Sequence, residues 1–531
     1  MERTPVAGTA GASGPKGRLV RWDVEDPAFW ASTGRAVAWR NLWVSMPALL
    51  CGFAIWGFWS VISVWMKNLQ WFGPNLKDPR YYELAAVAGL SGATLRIPCS
   101  FLVAVAGGRN VVAVTTALLL VPAVGVGLAL QDPGTPYAVL VALAVVSGVG
   151  GGAFASSMSN ISGFFPKRMQ GLSLGLNAGV GNLGVSVMQF VLPLAVTVAV
   201  FGGWGGAART LPVAVPGHAA GTSVWIQNCG WVWVAPLAVL CVLAWSRMDV
   251  LPAHGTGSTA SCVGRALWMN LVGLLAAGVG AWMYAGLHVT IGVVLPVTIA
   301  LGVAATRYLA PADLRGRVAQ QYAIFRRKHT WVMTLLYIMT FGSFIGYSFV
   351  FGLLIKDVFG KLPGGAPNPA APSPTLAFLG PLVGSLVRPV GGWLSDKFGG
   401  ARVTQWSTVA LVASAVAAGL CLTDVGTLAQ PETRFPLAFA LFLGLFVAAG
   451  IGNGSTFRMI PMIFDAKEAG PVLAWTSAVA AYGALLIPDV FRPQVAAGTP
   501  ERALYGFAAF YVVCLVVNWW YYARRRAEIR C

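Results

Sequence analysis

The sequence predicts an all-α polytopic membrane protein of about fourteen spans, arranged as two like six-helix halves with an extra two-helix hairpin between them. Three observations predict it. Hydrophobic residues make up 57% of the chain and charged residues 10%, with a mean hydropathy of +0.70, against roughly 45–50% and about 25% in an average soluble domain. Uncharged runs of about 20 residues, the length that crosses a bilayer as a helix, recur from one end of the chain to the other. Local patterns in the first half return in the second.

The first forty residues are rich in Gly, Ala and Pro and then charged. They hold no short apolar segment with a cleavage site, so no signal peptide is implied and the first span is expected to direct insertion. Apolar runs bounded by charges and prolines place spans near 41–66, 82–106, 110–130, 136–164, 171–201, 230–247, 267–286, 290–308, 331–355, 374–395, 403–423, 434–463, 470–490 and 503–522. Arg3, Lys16, Arg18, Arg21, Arg35 and Arg40 precede the first span, and Arg524, Arg525, Arg526 and Arg530 follow the last. Lys and Arg collect on the cytoplasmic side, which puts both ends there, in an inner (plasma) membrane. With fourteen spans Lys167 and Arg168, the cluster Arg315, Arg317, Arg326, Arg327 and Lys328, and then Lys397 and Arg402 fall on the same side. An odd number breaks that agreement.

The Gly/Pro-rich segment 201–229 and the turn KLPGGAPNPAAPS at 361–373 read as external loops. Spans seven and eight, joined by AGLHV, read as a tight hairpin that leaves the downstream topology unchanged. The resulting division is a cytoplasmic tail over 1–40, an N-terminal half over 41–248, a linker carrying the hairpin over 249–330, a C-terminal half over 331–522 and a basic tail over 523–531. The net charge of +18 follows from the loop bias and argues against a nucleic-acid partner. The eight cysteines (51, 99, 229, 241, 262, 421, 514, 531) form no C-x-x-C pair. They read as packing residues rather than metal ligands or disulfides, and no cofactor or metal is expected.

The halves match at several places. After Arg96 in TLRIPCSFLVAVAGGRN a Gly-Gly pair stands eleven residues on, at Gly107; after Arg388 in SLVRPVGGWLSDKFGGAR another stands eleven residues on, at Gly399. A proline follows each arginine, Pro98 and Pro389. Gly171, Gly175 and Gly179 recur every four residues after FFPKRMQ, as do Gly470, Ala474 and Ala478 after MIFDAKEA. Two six-span halves of like design form a transporter's architecture, with substrate held between them near the membrane midplane.

Within GLNAGVGNLGVS (175–186), Gly179, Gly181 and Gly184 have the G-x-G-x-x-G spacing of a dinucleotide-binding loop. That spacing carries meaning only between a strand and a helix in a βαβ unit, and no strand signal precedes it. GVGGGA at 148–153 is a second match of the same kind. Residues at i, i+4 and i+8 line one helix stripe, and small residues there let two backbones close up. Gly171, Gly175, Gly179 and Gly184, with Gly470, Ala474 and Ala478, are therefore read as helix-packing positions. Asn182 needs a partner for its amide, either on a neighbouring helix or in a substrate.

Arg96 and Arg388 lie about mid-span in the second and tenth spans. An arginine at the bilayer centre costs at least about 2.5–3.5 kcal/mol, so it normally faces a cavity or partner. Every Asp and Glu, including Glu83, Asp132, Asp357, Asp396, Asp465 and Asp489, falls in a loop or near a span end. The plain reading has each arginine bind backbone carbonyls or reach to the surface. The repeat-related pair favours two guanidinium groups in an uncharged cavity, awaiting an anion. Two planar forks suit a small flat oxyanion, although charge alone leaves phosphate, sulfate and dicarboxylates open. Phe154, Tyr337 and Phe341 lie in spans that border such a cavity and would stack on a planar ion. Core packing is the plainer reading of them from composition alone.

The sequence resembles the nitrate/nitrite porter family of the major facilitator superfamily. The resemblance runs from WDVEDPAFW and AWRNLWVS, through RIPCSF, to FASSMSNISGFFPKRMQGLSLGLNAGVGNLGVSVMQ, then KHTWVMTLLYIMTFGSFIGYSF, RPVGGWLSDKFGGARVT and GNGSTFRMIPMIF. It covers nearly the whole chain outside 248–320 and the tail. The family's substrate arginines fall on Arg96 and Arg388, its aromatic clamp on Phe154 and Phe341, its substrate-contacting tyrosine on Tyr337 and its signature asparagine on Asn182. The resemblance implies a major facilitator fold, nitrate and nitrite as substrates, and alternating access; the protein is expected to work as a monomer in the lipid bilayer.

Two departures stand out. The family usually has twelve spans, so the hairpin at 267–308 is additional, and Ala474 and Ala478 replace common glycines, so that face is expected to pack slightly wider. No mid-span carboxylate or histidine is evident, and His218, His254, His288 and His329 fall in loops or at span ends. Nitrate/nitrite exchange is therefore the expected mode, because proton coupling normally needs a titrating group. Proton-coupled nitrate symport is the alternative, followed by transport of another small oxyanion. Without H-E-x-x-H, G-x-S-x-G or a Walker loop, no enzyme is expected. An anion channel differs in predicting flux that does not saturate.

Overall fold

The computed structural model describes residues 17–531 except 253 and 256, and the backbone alone at 171, 313, 314, 317, 466 and 467. Among the described residues, fourteen helical segments are long and apolar enough to cross a membrane: α1 (Pro27–Asn68), α2 (Arg80–Ala106), α3 (Gly108–Ala129), α4 (Tyr137–Phe164), α5 (Leu172–Val196), α6 (Asn228–Arg247), α7 (Thr259–Gly286), α8 (Ile291–Tyr308), α9 (Lys328–Phe359), α10 (Pro374–Phe398), α11 (Gly400–Thr427), α12 (Pro431–Ile463), α13 (Glu468–Ala496) and α14 (Glu501–Ala523). Each expected span has its helix, and the chain is a multi-pass membrane protein. The part of the expected N-terminal tail before residue 17, with Arg3 and Lys16, lies outside the described residues.

The first helix starts earlier than its apolar run. Asp26 caps it by accepting from the Ala28 amide at 3.0 Å, an arrangement that satisfies one of the free N–H groups of a first turn. Arg40 marks the boundary of the uncharged run, yet it does not end the helix. Its guanidinium meets Asp249, just past α6, at 2.6 Å, and Asn41 donates to the same carboxylate at 2.8 Å.

The internal repeat is visible in the backbone. α2 and α10 stop at Gly107 (φ 78°) and Gly399 (φ 90°), left-handed conformations that glycine adopts without a Cβ clash. These glycines are 292 residues apart, the separation of Arg96 and Arg388. α4 and α12 end at Phe164 and Ile463, and the next residues, Phe165 (φ −112°, ψ 144°) and Phe464 (φ −117°, ψ 147°), are extended alike. That separation is 299 residues, as between Gly171 and Gly470.

The α7–α8 hairpin lies along α2. A side chain at Gly273 would stand 2.7 Å from Leu95, one at Gly280 would run into Thr298 and stand 3.0 Å from Leu90, and one at Gly302 would stand 3.1 Å from Ile97. At the far end of α7 the Tyr284 hydroxyl donates to Asp489 of α13 at 2.8 Å. Beside it Glu83 of α2 accepts from Tyr137 at 2.7 Å, and Arg492 stands 3.7 Å from Glu83 and 3.2 Å from Asp489. The carboxylates at these span ends are thus paired rather than solvated.

The face opposite the termini is closed. Lys67 at the end of α1 holds both oxygens of Asp357 at the end of α9, at 2.7 and 2.9 Å, and Tyr82 donates to the same carboxylate at 2.5 Å. The Lys67 and Asp357 side chains are only 4% and 8% exposed. Beside the pair lies a cavity of about 440 Å³, lined in part by Ser60, Gln189 and Lys356 and covered by the loops near His218 and Pro369.

The glycine stripe packs over only part of its length, which corrects the expectation. A side chain at Gly184 would collide with the Leu50 carbonyl of α1, and one at Gly181 would stand 2.6 Å from Leu49. Gly175, Gly179 and Gly470 have nothing within 4 Å. The packed glycines lie deeper in α5, whereas the uncovered ones lie toward the termini, where no facing helix covers them. Of the second stripe, Ala478 is 1% exposed and Ala474 half-buried. The surroundings of Gly171 lie outside the described residues. None of the eight cysteines is in a disulfide, and six are buried.

Candidate functional site

Arg96 sits in the middle of α2 with no exposed surface, and Arg388 in the middle of α10 with 5%. The plain reading of the arginines holds in part for Arg96. Its Nε donates to the Gly151 carbonyl of α4 and its Nη1 to the Ser477 carbonyl of α13, both at 3.0 Å, while Nη2 has no partner. On Arg388 both Nε and Nη2 are unpartnered. Arg96 therefore bridges the two halves and keeps one N–H edge free.

Two of the three predicted aromatic residues, Phe154 and Phe341, meet these arginines. The Arg96 guanidinium stands 4.7 Å from the Phe154 ring centre and 4.8 Å from that of Phe341; Arg388 stands 5.4 Å from Phe341 and 4.5 Å from Phe344. Phe341 thus touches both cations. Phe154 and Phe341 stack with centroids 6.1 Å apart at 16°, and Tyr337 stacks on Phe341 at 5.7 Å and 29°. An ion lying flat between Phe154 and Phe341 needs about 7 Å, two contacts of about 3.5 Å each, so the rings would have to part by roughly an ångström. In this conformation the space between the two rings is too narrow for such an ion.

The polar inventory at the centre is one-sided. Arg96 Nη2, Arg388 Nε and Nη2, the Tyr337 hydroxyl and Asn453 Nδ2 are buried without partners, and none of the neighbours named carries a negative charge. Buried charge is costly unless it is paired and hydrogen-bonded. An anion with several oxygens supplies both terms at once.

Asn182 does not bond a neighbouring helix. Its Nδ2 donates to the Ala178 carbonyl one turn back on its own helix, at 2.6 Å, and its Oδ1 is buried without a partner. Asn453, Phe344 and Trp56, whose ring centre is 5.3 Å from Arg96, were not foreseen. For Asn453 the signal was its glycine neighbours in GNG, which bring a helix close to whatever the asparagine faces.

No family model matches the chain. Curated relatives match it almost end to end. It is 38% identical over 514 residues to the probable nitrate/nitrite antiporter NarK2 of Thermus thermophilus, covering 97% of this chain and 98% of that protein. It is 34% identical over 527 residues to the nitrate/nitrite transporter NarU of Escherichia coli K12, covering 95% and 96%. Among solved structures it resembles a bacterial homologue of the human drug peptide transporters PepT1 and PepT2 (TM-score 0.57, 13% identity, 91% and 97% of the chains) and a POT family transporter in complex with 5-aminolevulinic acid (TM-score 0.55, 14% identity, 90% and 94%). These likenesses show the fold. With fourteen helices, two halves repeated in register and relatives matched over nearly their whole length, the chain belongs to the nitrate/nitrite porter family of the major facilitator superfamily.

Proposed function

We propose that this chain exchanges nitrate and nitrite across the inner membrane by alternating access, binding the anion between Arg96 and Arg388. One observation carries the reading: two buried guanidinium groups at repeat-related positions leave three nitrogen donors without acceptors. The proposed halves, 41–248 and 331–522, would rock about this point as a monomer, with both termini in the cytoplasm.

The empty site opposes passage through an occluded state. Closure around two unpaired cations removes hydration and leaves like charges facing each other. A bound oxyanion offsets both costs, so each crossing of the closed state takes an anion along. Return by the same route requires another anion, which makes exchange the outcome. Phe154 and Phe341 would exclude water, and Arg96 would report occupancy to both halves through Gly151 and Ser477.

Counterflow in proteoliposomes tests this. Labelled nitrate uptake is measured with nitrite, nitrate or nothing inside, with and without a proton gradient, for the wild type and for Arg96→Lys and Arg388→Lys. Exchange predicts uptake that depends on internal anion and is lost in both variants. Uptake into empty vesicles driven by a proton gradient would establish symport in its place.

A further inference from the structure

The unpaired donors at the site do not all sit where the internal repeat duplicates them. α4 and α12 end in matched register 299 residues apart, with the same extended residue after each. The same separation sets Asn453 in α12 at the place that Phe154 holds in α4. Where the first half presents an aromatic face, the second presents a carboxamide.

Its neighbours bring it to the arginine site. A side chain at Gly454 would collide with the carbonyl oxygen of Arg388 itself, and one at Gly452 would run into Ser407 and stand 2.8 Å from Thr340. The two glycines thus let α12 lie directly on α10 at Arg388 and on α9 beside Tyr337. Asn453 is 3% exposed, and its carboxamide lies against the Tyr337 hydroxyl. Asn453 Nδ2 finds at most that hydroxyl, and no other group among the described residues accepts from it, so the two-hydrogen amide keeps an N–H free. A buried amide N–H without an acceptor is destabilising, and such groups in folded proteins are rare enough to require an explanation.

We infer that Asn453 is a substrate ligand that donates from Nδ2 to a third oxygen of the bound anion, and so favours nitrate over nitrite. The inference rests on the proposed nitrate/nitrite exchange. Nε and Nη2 of Arg388 form a fork for two oxygens, and Nη2 of Arg96 approaches as a separate donor. The neutral pair of Tyr337 and Asn453 is the donor capacity that remains. Nitrite, with two oxygens, is satisfied by the cationic donors, whereas nitrate has one oxygen more. A site built to hydrogen-bond a group discriminates against the analogue lacking it, because its own donor is then left unpaired. The asymmetry also gives the repeat a division of labour: Phe154 supplies a ring against the ion, and its counterpart supplies a donor at the ion's edge.

The test is counterflow with each anion separately, on the wild type and on Asn453→Leu, which keeps volume and removes the donor. Thermal stabilisation of the detergent-purified proteins by added nitrate or nitrite is measured alongside. Loss of one hydrogen bond to an anion predicts a half-saturating nitrate concentration raised about tenfold to a hundredfold, with nitrite altered less than about threefold. The variant is expected to keep its nitrite-dependent stabilisation and lose most of that given by nitrate. Equal weakening for both anions, or no change for either, would overturn the assignment. Should Asn453→Leu not fold, Asn453→Ser vacates the amide without adding apolar bulk and carries the same comparison. A wild type that moves neither anion would sink the exchange reading itself, whereas wild-type exchange with unchanged selectivity in the variant removes only Asn453.

Discussion

The ion pair that closes the face opposite the termini sets up a quantitative prediction. Asp357→Asn removes the negative partner of Lys67 and leaves an ammonium group 4% exposed. It keeps the volume and an acceptor for the Tyr82 hydroxyl. Removing one member of a buried pair costs about 3–5 kcal/mol, because the other charge stays behind without compensation. When the face opens, Lys67 is hydrated and that cost vanishes, so the penalty falls on the closed state alone. A bias of that size moves the closed-to-open ratio by roughly two to three and a half powers of ten. The assay is labelling of Ser60→Cys, on the wall of the cavity beside the pair, by a membrane-impermeant maleimide. Cys241 and Cys531, the two native cysteines that are not buried, would first be replaced by serine. The wild type is expected to label slowly and Asp357→Asn at least tenfold faster, with slower exchange because closing that face becomes the hard step. Replacing both partners by leucine should return labelling close to wild type, since an apolar pair often substitutes for a buried ion pair at little cost. Equal labelling of the wild type and Asp357→Asn would refute the argument that this pair holds the face shut.

Other outcomes are expected from the same geometry. Gly184→Val drives a side chain into the Leu50 carbonyl and should cost about 3 kcal/mol of stability, whereas Gly179→Ala, with nothing within 4 Å, should stay within about 0.5 kcal/mol in a denaturation series. Tyr284→Phe removes the 2.8 Å bond to Asp489 and should weaken hairpin docking by about 1.5–3 kcal/mol, seen as faster hydrogen exchange at the end of α7. Arg96→Lys cannot hold both the Gly151 and Ser477 carbonyls and still present a planar edge, so uptake should be lost at nitrate concentrations that saturate the wild type and binding should require about a hundredfold more anion.

The span list and the two arginines were legible because both are local signals: a run of apolar residues, and a cation where none belongs. The start of α1 was not, since Arg40 looks like a boundary until Asp249 is brought to it from 209 positions away. The same is true of Lys67 and Asp357, 290 positions apart and each ordinary at a span end. The neighbouring-helix partner expected for Asn182 failed for the opposite reason. Its nearest acceptor was the carbonyl four residues back, a bond any helix offers, and the stripe around it suggested a longer reach. The glycine stripe was read as one unit because spacing records which residues share a face, not how far along that face a neighbour extends. Asn453 carried a local signal in its flanking glycines, and laying one half on the other shows it in the place of an aromatic ring.

The hairpin on α2 makes the two halves unequal to the surrounding lipid. With the hairpin on it, one half presents eight helices to the acyl chains and the other six, so the proposed rocking would displace less lipid when the six-helix half swings. The membrane would then act as ballast on one side, and the chain's symmetry would end where the bilayer begins.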